Sequence, residues 1–297
     1  MELQTIKRVY FVGIGGIGMS ALARYFVMRG CLVSGYDKTR TALCAALERE
    51  GIEISYEDET SSIDAAFKVS DEHTLIVYTP AIPASSNILN YFKALGSTLY
   101  KRSEVLGIIS AGQFCIAVAG THGKTTTSAM IAHVLKATGF DCTAFLGGIA
   151  SNYNSNFLAG QNNVVVVEAD EYDRSFLTLH PDVAVITSMD ADHLDIYGDA
   201  GQLQDSFRLF AGQLKPGGSL LIKSGLAIDG ESYGIDHAEG IFAMNIRVED
   251  GHFVFDYGNP SVYISGIKML LPGRHNIENA LVAISVALKL GISEVAI

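Results

Sequence analysis

A turn containing two glycines, a lysine and several threonines, GTHGKTTT at residues 120–127, has residue types that can hold phosphate groups. It follows FCIAVA, an apolar run of strand length, and it precedes residues with helical periodicity. Gly120 and Gly123 allow close backbone approach, Lys124 supplies a charge for β and γ phosphates, and the Thr125 hydroxyl can bind Mg²⁺. The spacing departs from a strict G-x-x-x-x-G-K-[ST] loop, because Val118 stands five residues before Gly123. The alternative is a structural turn whose threonines cap a helix.

A second glycine turn lies near the start of the chain. In GIGGIG, residues 13–18, the glycines at 13, 15 and 18 satisfy G-x-G-x-x-G between a predicted strand and a predicted helix. Asp37 ends the next predicted strand, where an acidic residue can bind a ribose. The pattern favours a ligand that contains a diphosphate over a purely structural turn, but it does not identify that ligand.

Acidic residues follow two further predicted strands. VVVVEADEYD places four carboxylates just after one strand: Glu168, Asp170, Glu171 and Asp173. MDADHLDIYG places a second group just after the next strand: Asp190, Asp192, His193 and Asp195. Parallel strands deliver such residues to one edge of the sheet, so both groups are expected to face the turn at 120–127. Carboxylates beside a triphosphate can hold Mg²⁺. The alternative for either group alone is a solvated acidic loop.

The stretch PGRHNIENAL, residues 272–281, precedes a strongly periodic terminal segment. Asn276 and Asn279 are three residues apart, so on a helix they share a face and can bind the edge of an adenine. A helix cap with surface polar residues explains the same pattern, and the spacing does not decide between them.

The order of elements predicts an α/β fold. Strand and helix patterns alternate from residue 8 to about residue 82, which indicates a parallel, doubly wound sheet, and a second such series begins at residue 114. Residues 240–270 alternate as antiparallel strands do. We therefore predict an N-terminal Rossmann-like parallel-sheet domain at 1–112, with its boundary near 110–113, followed by a second α/β domain at 113–297 that contains the phosphate-loop candidate.

Composition narrows the class of protein. The 297 residues carry a formal net charge of −11, without a long basic run, which argues against nucleic acid as a partner. The chain has no basic leader segment and no apolar run of about 18 residues, so no membrane partner is expected. The four cysteines are scattered without a C-x-x-C pair, which favours buried thiols in a reduced, cytoplasmic compartment.

These stretches together resemble the Mur ligases of bacterial cell-wall synthesis. The matching pieces, in chain order, are FVGIGGIGMSALA, YTPAIP, KRSEVLG, GTHGKTTT, EADEYDRSF, ADHLDIYG and PGRHNIENAL. The set spans nearly the whole chain and is far more specific than either glycine turn alone. Within the family the chain is most similar to the branch that joins L-alanine to UDP-N-acetylmuramate.

The resemblance implies that residues 1–112 form a UDP-sugar-binding domain, that residues 113–297 form a central P-loop ATP-binding α/β domain, and that each motif has a role. ATP contacts fall on Gly120, Thr121, His122, Gly123, Lys124, Thr125, Thr126, Asn276 and Asn279, the last two near adenine. UDP-sugar contacts fall on Gly13, Gly15, Gly16, Ile17, Gly18, Asp37, Lys101 and Arg102, with His122 a further candidate. Metal ligation falls on Thr125, Glu168 and His193, and catalytic roles on Lys124, Glu168 and His193.

The resemblance also implies the reaction. ATP, with Mg²⁺, converts the muramoyl carboxylate of UDP-N-acetylmuramate to an acyl phosphate, and the amine of L-alanine then displaces phosphate. The family carries a third, C-terminal domain with much of the amino-acid site, whereas this chain stops at GISEVAI. We therefore expect a truncated chain, a monomer or weak homodimer, that binds UDP-sugar and, weakly, ATP, without alanine-dependent phosphate release.

Rival functions come from the same class of enzymes and from others. A ligase that attaches an intact tripeptide to the same sugar nucleotide, or a relative of the folate-glutamate ligases, would share the two turns. An NAD dehydrogenase leaves the second turn unexplained, and a GTPase lacks its N-K-x-D or T-K-x-D signature here. A non-catalytic sensor of UDP-sugar and ATP would use the same sites for binding alone.

Overall fold

The computed structural model describes residues 2–190, 197, 199–235 and 239–297. The strands of these residues are β1 Arg8–Val12, β2 Leu32–Tyr36, β3 Glu53–Ser55, β4 Thr74–Tyr78, β5 Leu99–Lys101, β6 Phe114–Ala119, β7 Thr143–Ala150, β8 Ser155–Leu158, β9 Val164–Glu168, β10 Val183–Ile186, β11 Ser219–Lys223, β12 Glu231–Ile235, β13 Ile241–Glu249, β14 His252–Gly258 and β15 Tyr263–Met269. The α-helices are α1 Ile17–Met28, α2 Ala42–Arg49, α3 Asn87–Ala94, α4 Arg102–Ala111, α5 Lys124–Ala137, α6 Ala200–Ala211 and α7 Arg274–Lys289. Short 3₁₀ helices lie at Leu3–Thr5, Thr60–Ser62, Ala65–Phe67 and Tyr172–Thr178.

The chain divides into two compact units. The first unit comprises Met1–Gly112 and Phe145–Ala159, and the second comprises Gln113–Ala144 and Gly160–Ile297. No helix among the described residues combines the length and the apolar character needed to cross a membrane.

A parallel sheet forms the centre of the first unit. Its strand order is β3-β2-β1-β4-β5, and every neighbouring pair is parallel. On β1, the buried ring of Tyr10 packs against Phe67 and Phe92 at centroid distances of 5.4 and 5.1 Å. The strand order reverses beside β1, and in open sheets of this kind ligands bind outside the carboxyl ends of the strands at that reversal. The glycine turn at 13–18 follows β1 directly.

Side chains that hydrogen-bond to backbone N-H groups define where helices of this unit begin. The Thr41 hydroxyl accepts from the Cys44 N-H at the start of α2, at 3.2 Å. At the start of α3, the Asp58 carboxylate accepts from the Ile88 N-H at 3.0 Å and from the Ser86 hydroxyl at 2.9 Å. These acceptors satisfy N-H groups that have no partner inside the helix.

The segment Phe145–Ala159 packs on α1. The rings of Phe145 and Phe157 lie 5.6 and 6.3 Å from the ring of Tyr25. The fully buried Asn156 amide donates to the Ile17 carbonyl at 2.5 Å and to the Ser20 hydroxyl at 3.0 Å, and its oxygen accepts from Arg24. An apolar contact and a satisfied buried amide therefore join this distant segment to the helix that follows the first turn.

The second unit is built on a larger sheet. Strands in the order β13-β12-β11-β10-β6-β9 are parallel, and β13-β14-β15 continue as antiparallel strands. The apolar runs of β6 and β10 are buried because a parallel sheet is covered on both faces. Helices α5 and α7 pack against each other. The predicted α/β class, with a parallel N-terminal sheet, is confirmed, and so are the antiparallel strands predicted at 240–270.

Candidate functional site

The first glycine turn forms the predicted strand, turn and helix. The N-H groups of Gly13 and Ile14 donate to the Tyr36 carbonyl at 2.7 and 3.0 Å, which fixes the turn to the end of β2. Gly13 has φ of 94°, a left-handed conformation that favours glycine. Gly16 is the N-cap of α1 without a side-chain cap, and α1 begins at Ile17. The first turn of α1 therefore presents backbone N-H groups, an arrangement suited to an anion.

Asp37 contacts the glycine turn itself. Its carboxylate accepts from the Gly15 N-H at 2.8 Å and from the Thr39 N-H at 3.0 Å. A carboxylate offers about four acceptor positions, so these two bonds leave room for a ribose hydroxyl. The proposed contact with ribose stays a prediction, and the structure adds a second task, which is to hold the turn.

Lys101 and Arg102 lie at the junction of β5 and α4. Lys101 is the N-cap of α4, and its N-H donates to the Glu104 carboxylate at 2.6 Å. A Cβ on Gly18 would lie 2.7 Å from Nη1 of Arg102, so this guanidinium lies against the start of α1. Arg102 thus places a positive charge beside the glycine turn at 13–18, whereas Lys101 is the N-cap residue of α4.

The second glycine turn is shaped by close packing. Gly120 has φ of 134°, and a Cβ there would overlap the Thr187 hydroxyl and lie 2.8 Å from the Ser188 N-H nitrogen. Gly123 has φ of 84° and is the N-cap of α5, without a side-chain cap. Only glycine fits both positions without strain. Thr125, Thr126 and Thr127 lie inside the helix and do not cap it, whereas phosphate binding at this turn stays a prediction.

Lys124, the first residue of α5, points back across the turn. Its Nζ donates to the Gly120 carbonyl at 2.7 Å and lies 2.8 and 2.7 Å from Oε1 and Oε2 of Glu171. The side chain of Lys124 is 14% exposed and that of Glu171 is 1% exposed. The ammonium group is therefore held between the turn and a buried carboxylate that follows β9.

Thr125 and Glu168 meet at the ends of α5 and β9. The Thr125 hydroxyl donates to Oε1 of Glu168 at 3.0 Å. These oxygens suit Mg²⁺, which takes a few protein oxygens and completes its shell with phosphate and water. Within the described ranges, no group of three or more His, Cys, Asp or Glu side chains could hold a metal. His193, the third predicted ligand, lies outside the described residues, so its roles stay predictions.

Hydroxyl groups after β10 hold the middle of the turn. The Ser188 hydroxyl accepts from the His122 N-H at 2.7 Å and lies 2.8 Å from the Thr121 hydroxyl. The Thr187 hydroxyl lies 3.1 and 2.5 Å from the Ala119 and His122 carbonyl oxygens, and its single proton can be donated to either. The His122 ring is exposed, 3.9 Å from the Asp190 carboxylate. The turn is thereby rigid while the His122 ring faces solvent.

Asn276 and Asn279 are buried, at 8% and 7% exposure. The Thr127 hydroxyl donates to the Asn279 oxygen at 3.0 Å, the Asn279 amide donates to the Asn276 oxygen at 3.1 Å, and the Asn276 amide donates to the Pro272 carbonyl at 2.6 Å. The N-cap of α7 is Gly273. The alternative of a helix cap with surface polar residues is therefore wrong, while contact with adenine stays a prediction.

Sequence reasoning missed the roles of three residues at the second turn. Thr187 and Ser188 sit in TSMD, where only their place after a strand adjacent to β6 could have indicated a contact with the turn. Glu171 was one of several acidic residues after β9, and nothing in the spacing separated it from Glu168.

These sites define an α/β protein with two glycine turns, each between a strand and a helix at the carboxyl edge of a parallel sheet, the second of them with a lysine that reaches back across the turn. Residues 8–114 match the Mur ligase family catalytic domain, and residues 118–287 match the Mur ligase middle domain. The chain therefore belongs to the Mur ligase family.

Individual relatives carry more specific names. The chain is 50% identical over 98% of its length to the UDP-N-acetylmuramate–L-alanine ligase of Christiangramia forsetii, and 50% identical over 97% of its length to that of Flavobacterium johnsoniae. It spans 65% and 64% of these two relatives, slightly under two thirds of their length.

Solved structures give the same picture at lower identity. The UDP-N-acetylmuramate-alanine ligase of Thermotoga maritima is 26% identical with a TM-score of 0.79, over 96% of this chain and 65% of that one. The UDP-N-acetylmuramate:L-alanyl-gamma-D-glutamyl-meso-diaminopimelate ligase of Neisseria meningitides is 26% identical with a TM-score of 0.84, over 97% of this chain and 95% of that one.

Proposed function

We propose that the whole protein joins L-alanine to the carboxylate of UDP-N-acetylmuramate with ATP, in the synthesis of peptidoglycan precursors. The supporting observation is the 50% identity, over 98% of this chain, to a protein named for that reaction. That likeness extends over both glycine turns. The domain assignment, UDP-sugar at 1–112 and ATP at 113–297, is part of the proposal.

In the first unit, the turn after β1 takes the diphosphate of the UDP-sugar. The N-H groups at the start of α1 supply donors, and the Arg102 guanidinium beside Gly18 supplies charge. Asp37 keeps Gly15 in place through the bond to its N-H. A Cβ on Gly15 would lie 2.5 Å from the Cys44 sulfur, so a side chain at this position would collide with α2.

In the second unit, the turn at 120–126 takes the phosphates of ATP. Lys124 supplies a point charge, and the uncapped start of α5 supplies N-H donors. Thr125 and Glu168 would hold Mg²⁺, which offsets the charge of the phosphate oxygens when bound. Asn276 and Asn279 support α5 from α7 and lie near the adenine.

The chemistry requires an activated carboxylate, because oxide is too poor a leaving group for direct attack by an amine. A carboxylate oxygen bonds to the γ-phosphorus as the bond to ADP breaks. The alanine nitrogen then bonds to the acyl carbon, phosphate leaves, and the nitrogen loses a proton. The residues of this chain position the reactants and stabilise charge, which are the main contributions an enzyme makes to such transfers.

A second candidate takes a tripeptide in place of L-alanine. The structural likeness to the tripeptide ligase of Neisseria meningitides favours it, because that match covers 95% of the other chain. The higher identity to proteins named as L-alanine ligases favours the first candidate. The same two sites would serve both reactions, so the amino acid or peptide accepted distinguishes them.

Phosphate release by the full-length protein tests the proposal. We expect release that requires UDP-N-acetylmuramate, Mg·ATP and L-alanine together, with the tripeptide at least tenfold less effective at equal concentration, on the order of 1.4 kcal/mol of discrimination. Release with the tripeptide alone would favour the second candidate. Binding without any turnover would favour a sensor. The 297-residue chain itself is expected to bind UDP-N-acetylmuramate in calorimetry and to show no alanine-dependent release.

The setting of the reaction follows from its reactants. We place it in the cytoplasm, where ATP is available and where thiols stay reduced, in agreement with four free cysteines in this chain. The proposed partners are the two small-molecule substrates, and the proposed state is a monomer or weak homodimer.

A further inference from the structure

The pairing of Lys124 with Glu171 is not needed to make a phosphate turn. Within that turn, one bond from the Lys124 ammonium to the Gly120 carbonyl already draws the side chain over the loop, at 2.7 Å. The structure adds a carboxylate, with both oxygens within 2.8 Å of the ammonium, from a segment 47 residues later in the chain.

The backbone of Glu171 is held firmly. Its carbonyl accepts from the Tyr197 hydroxyl at 2.5 Å and from the Arg174 N-H at 2.9 Å, and it stands at the start of the 3₁₀ helix Tyr172–Thr178. The buried Phe176 in that helix stacks on Phe210 of α6 at a centroid distance of 5.2 Å. The carboxylate is therefore fixed by a segment packed into the unit.

Burial of the Lys124–Glu171 ion pair costs hydration free energy. A nearly dry carboxylate and a nearly dry ammonium each lose hydration, and their attraction offsets this cost only when geometry is good and each is fully hydrogen-bonded. A surface lysine would bind phosphate as a mobile point charge. Here the lysine loses that freedom before any ligand arrives, which lowers the entropy cost of binding.

We propose that Glu171 is a positioning residue that holds the Lys124 ammonium over the turn, ready for the β and γ phosphates of a nucleoside triphosphate. The inference rests on the proposed ATP site. An ion pair plays the equivalent part in protein kinases, where a glutamate on a helix orients the lysine that binds phosphates. Glu171 itself touches no phosphate.

If Glu171 had the opposite role, its removal would change the affinity for triphosphate in the opposite direction. If Glu171 were a placeholder that competes with phosphate for Lys124, removal of its charge would tighten triphosphate binding. If Glu171 positions Lys124, removal of its charge weakens that binding, and only for ligands that reach the lysine.

Calorimetric titration of the 297-residue chain with Mg·ATP and with AMP separates these roles. We expect Glu171→Gln to lose about tenfold in affinity for Mg·ATP and less than about twofold for AMP, which lacks the β and γ phosphates. In a Lys124→Ala background the same change is expected to cost less than about twofold, because Glu171 acts through the lysine. Glu171→Asp keeps the charge and is expected to fall between wild type and Glu171→Gln.

Asp182 provides a matched control in the same unit. Its carboxylate pairs with Lys215 at 2.8 Å and accepts from the Cys115 N-H, at the opposite ends of the strands from the turn. Asp182→Asn is expected to lower the melting temperature measured by circular dichroism and to leave the ratio of ATP to AMP affinity unchanged.

Four results would overturn the inference. In the first, Glu171→Gln binds Mg·ATP as tightly as wild type or more tightly; in the second, it loses the same factor in affinity for ATP and for AMP. In the third, Glu171→Gln costs as much affinity in the Lys124→Ala background as in wild type. In the fourth, Asp182→Asn lowers the ratio of ATP to AMP affinity as much as Glu171→Gln does. If Glu171→Gln does not fold, the ratio of ATP to AMP affinity measured for Glu171→Asp tests the inference in its place. A wild-type chain that binds no Mg·ATP would overturn the ATP site together with this inference, whereas normal wild-type binding with an unaffected variant would overturn the inference alone.

Discussion

Substitution of Gly120 by alanine tests how tightly the second turn is built. The residue has φ of 134°, and the new methyl group would overlap the Thr187 hydroxyl. A backbone conformation of this kind costs about 1–3 kcal/mol for a residue with a side chain. If Thr187 turns away, the hydrogen bond that its hydroxyl donates to the Ala119 or His122 carbonyl is lost, at about 0.5–1.5 kcal/mol.

One smaller effect opposes these costs. Alanine restricts the unfolded chain more than glycine does, which stabilises the folded state by about 0.4–1 kcal/mol. The sum predicts that Gly120→Ala lowers the free energy of unfolding of the second unit by about 1–4 kcal/mol. Urea denaturation followed by circular dichroism measures it, since the chain contains no tryptophan.

Gly139 is the matched control, because it lies just beyond the other end of α5. Its φ is 76°, and a Cβ there meets no heavy atom within 4 Å. Gly139→Ala therefore carries only the backbone cost of about 1–2 kcal/mol, less the same gain of about 0.4–1 kcal/mol, which leaves a loss of about 0–1.5 kcal/mol. Equal losses for Gly120→Ala and Gly139→Ala would refute the claim that contact with the segment after β10 shapes the turn.

Three further changes test the metal site, a helix start and the buried thiols. Glu168→Gln is expected to weaken Mg·ATP binding about tenfold in calorimetry and to leave metal-free ATP binding unchanged, because an ionised carboxylate suits Mg²⁺. Burial raises the pKa of Asp58, but hydrogen bonds from the start of α3 outweigh it and hold this pKa below its usual value. The ionised Asp58 carboxylate therefore stabilises the fold at pH values above its unfolded pKa of about 3.9. We expect the difference in free energy of unfolding between wild type and Asp58→Asn to shrink as the pH falls below about 4. Burial raises the pKa of Cys142 to about 12, and it also raises the pKa of the half-buried Cys31. We therefore expect a thiol reagent at pH 8 to label the native chain slowly, with Cys31 reacting first, and we expect this labelling to vanish in Cys31→Ser.

Each of these outcomes has its own control. Glu249→Gln removes a carboxylate from an exposed pair with Arg247 on β13, and it should leave both ATP affinities unchanged. A gap between wild type and Asp58→Asn that is the same at pH 3 and pH 7 would contradict the hydrogen-bonding argument. Rapid labelling in Cys31→Ser would show that a thiol described as buried is accessible.

The fold followed from local patterns because parallel strands leave strong signals. Continuous apolar runs marked β6, β9 and β10, and glycine turns marked where helices begin. Helix ends are harder to read from sequence, since α1 begins at Ile17, inside the glycine motif, where Gly16 supplies the N-cap. The N-cap glycine has no side chain that sequence reading could recognise as a cap.

The sequence predicted a contact in the candidate site only where two residues follow neighbouring strands of the sheet. Glu168 was expected near the phosphate turn because β9 ends at the same sheet edge as β6, and its bond to Thr125 agrees. The pairing of Glu171 with Lys124 and the bond from Thr127 to Asn279 were not predictable. They depend on how a 3₁₀ helix and a terminal helix pack, and residue spacing carries no information on such distant contacts.

The attachment of Phe145–Ala159 to α1 has a consequence for synthesis on the ribosome. Domains emerging from the ribosome generally fold from the N-terminus onward. Here the aromatic face of α1 around Tyr25 and the polar groups that meet Asn156 gain their partners only after more than a hundred further residues have been translated. The nascent first unit therefore completes its packing only after residue 159 has been translated, and until then this aromatic face of α1 lacks its covering segment.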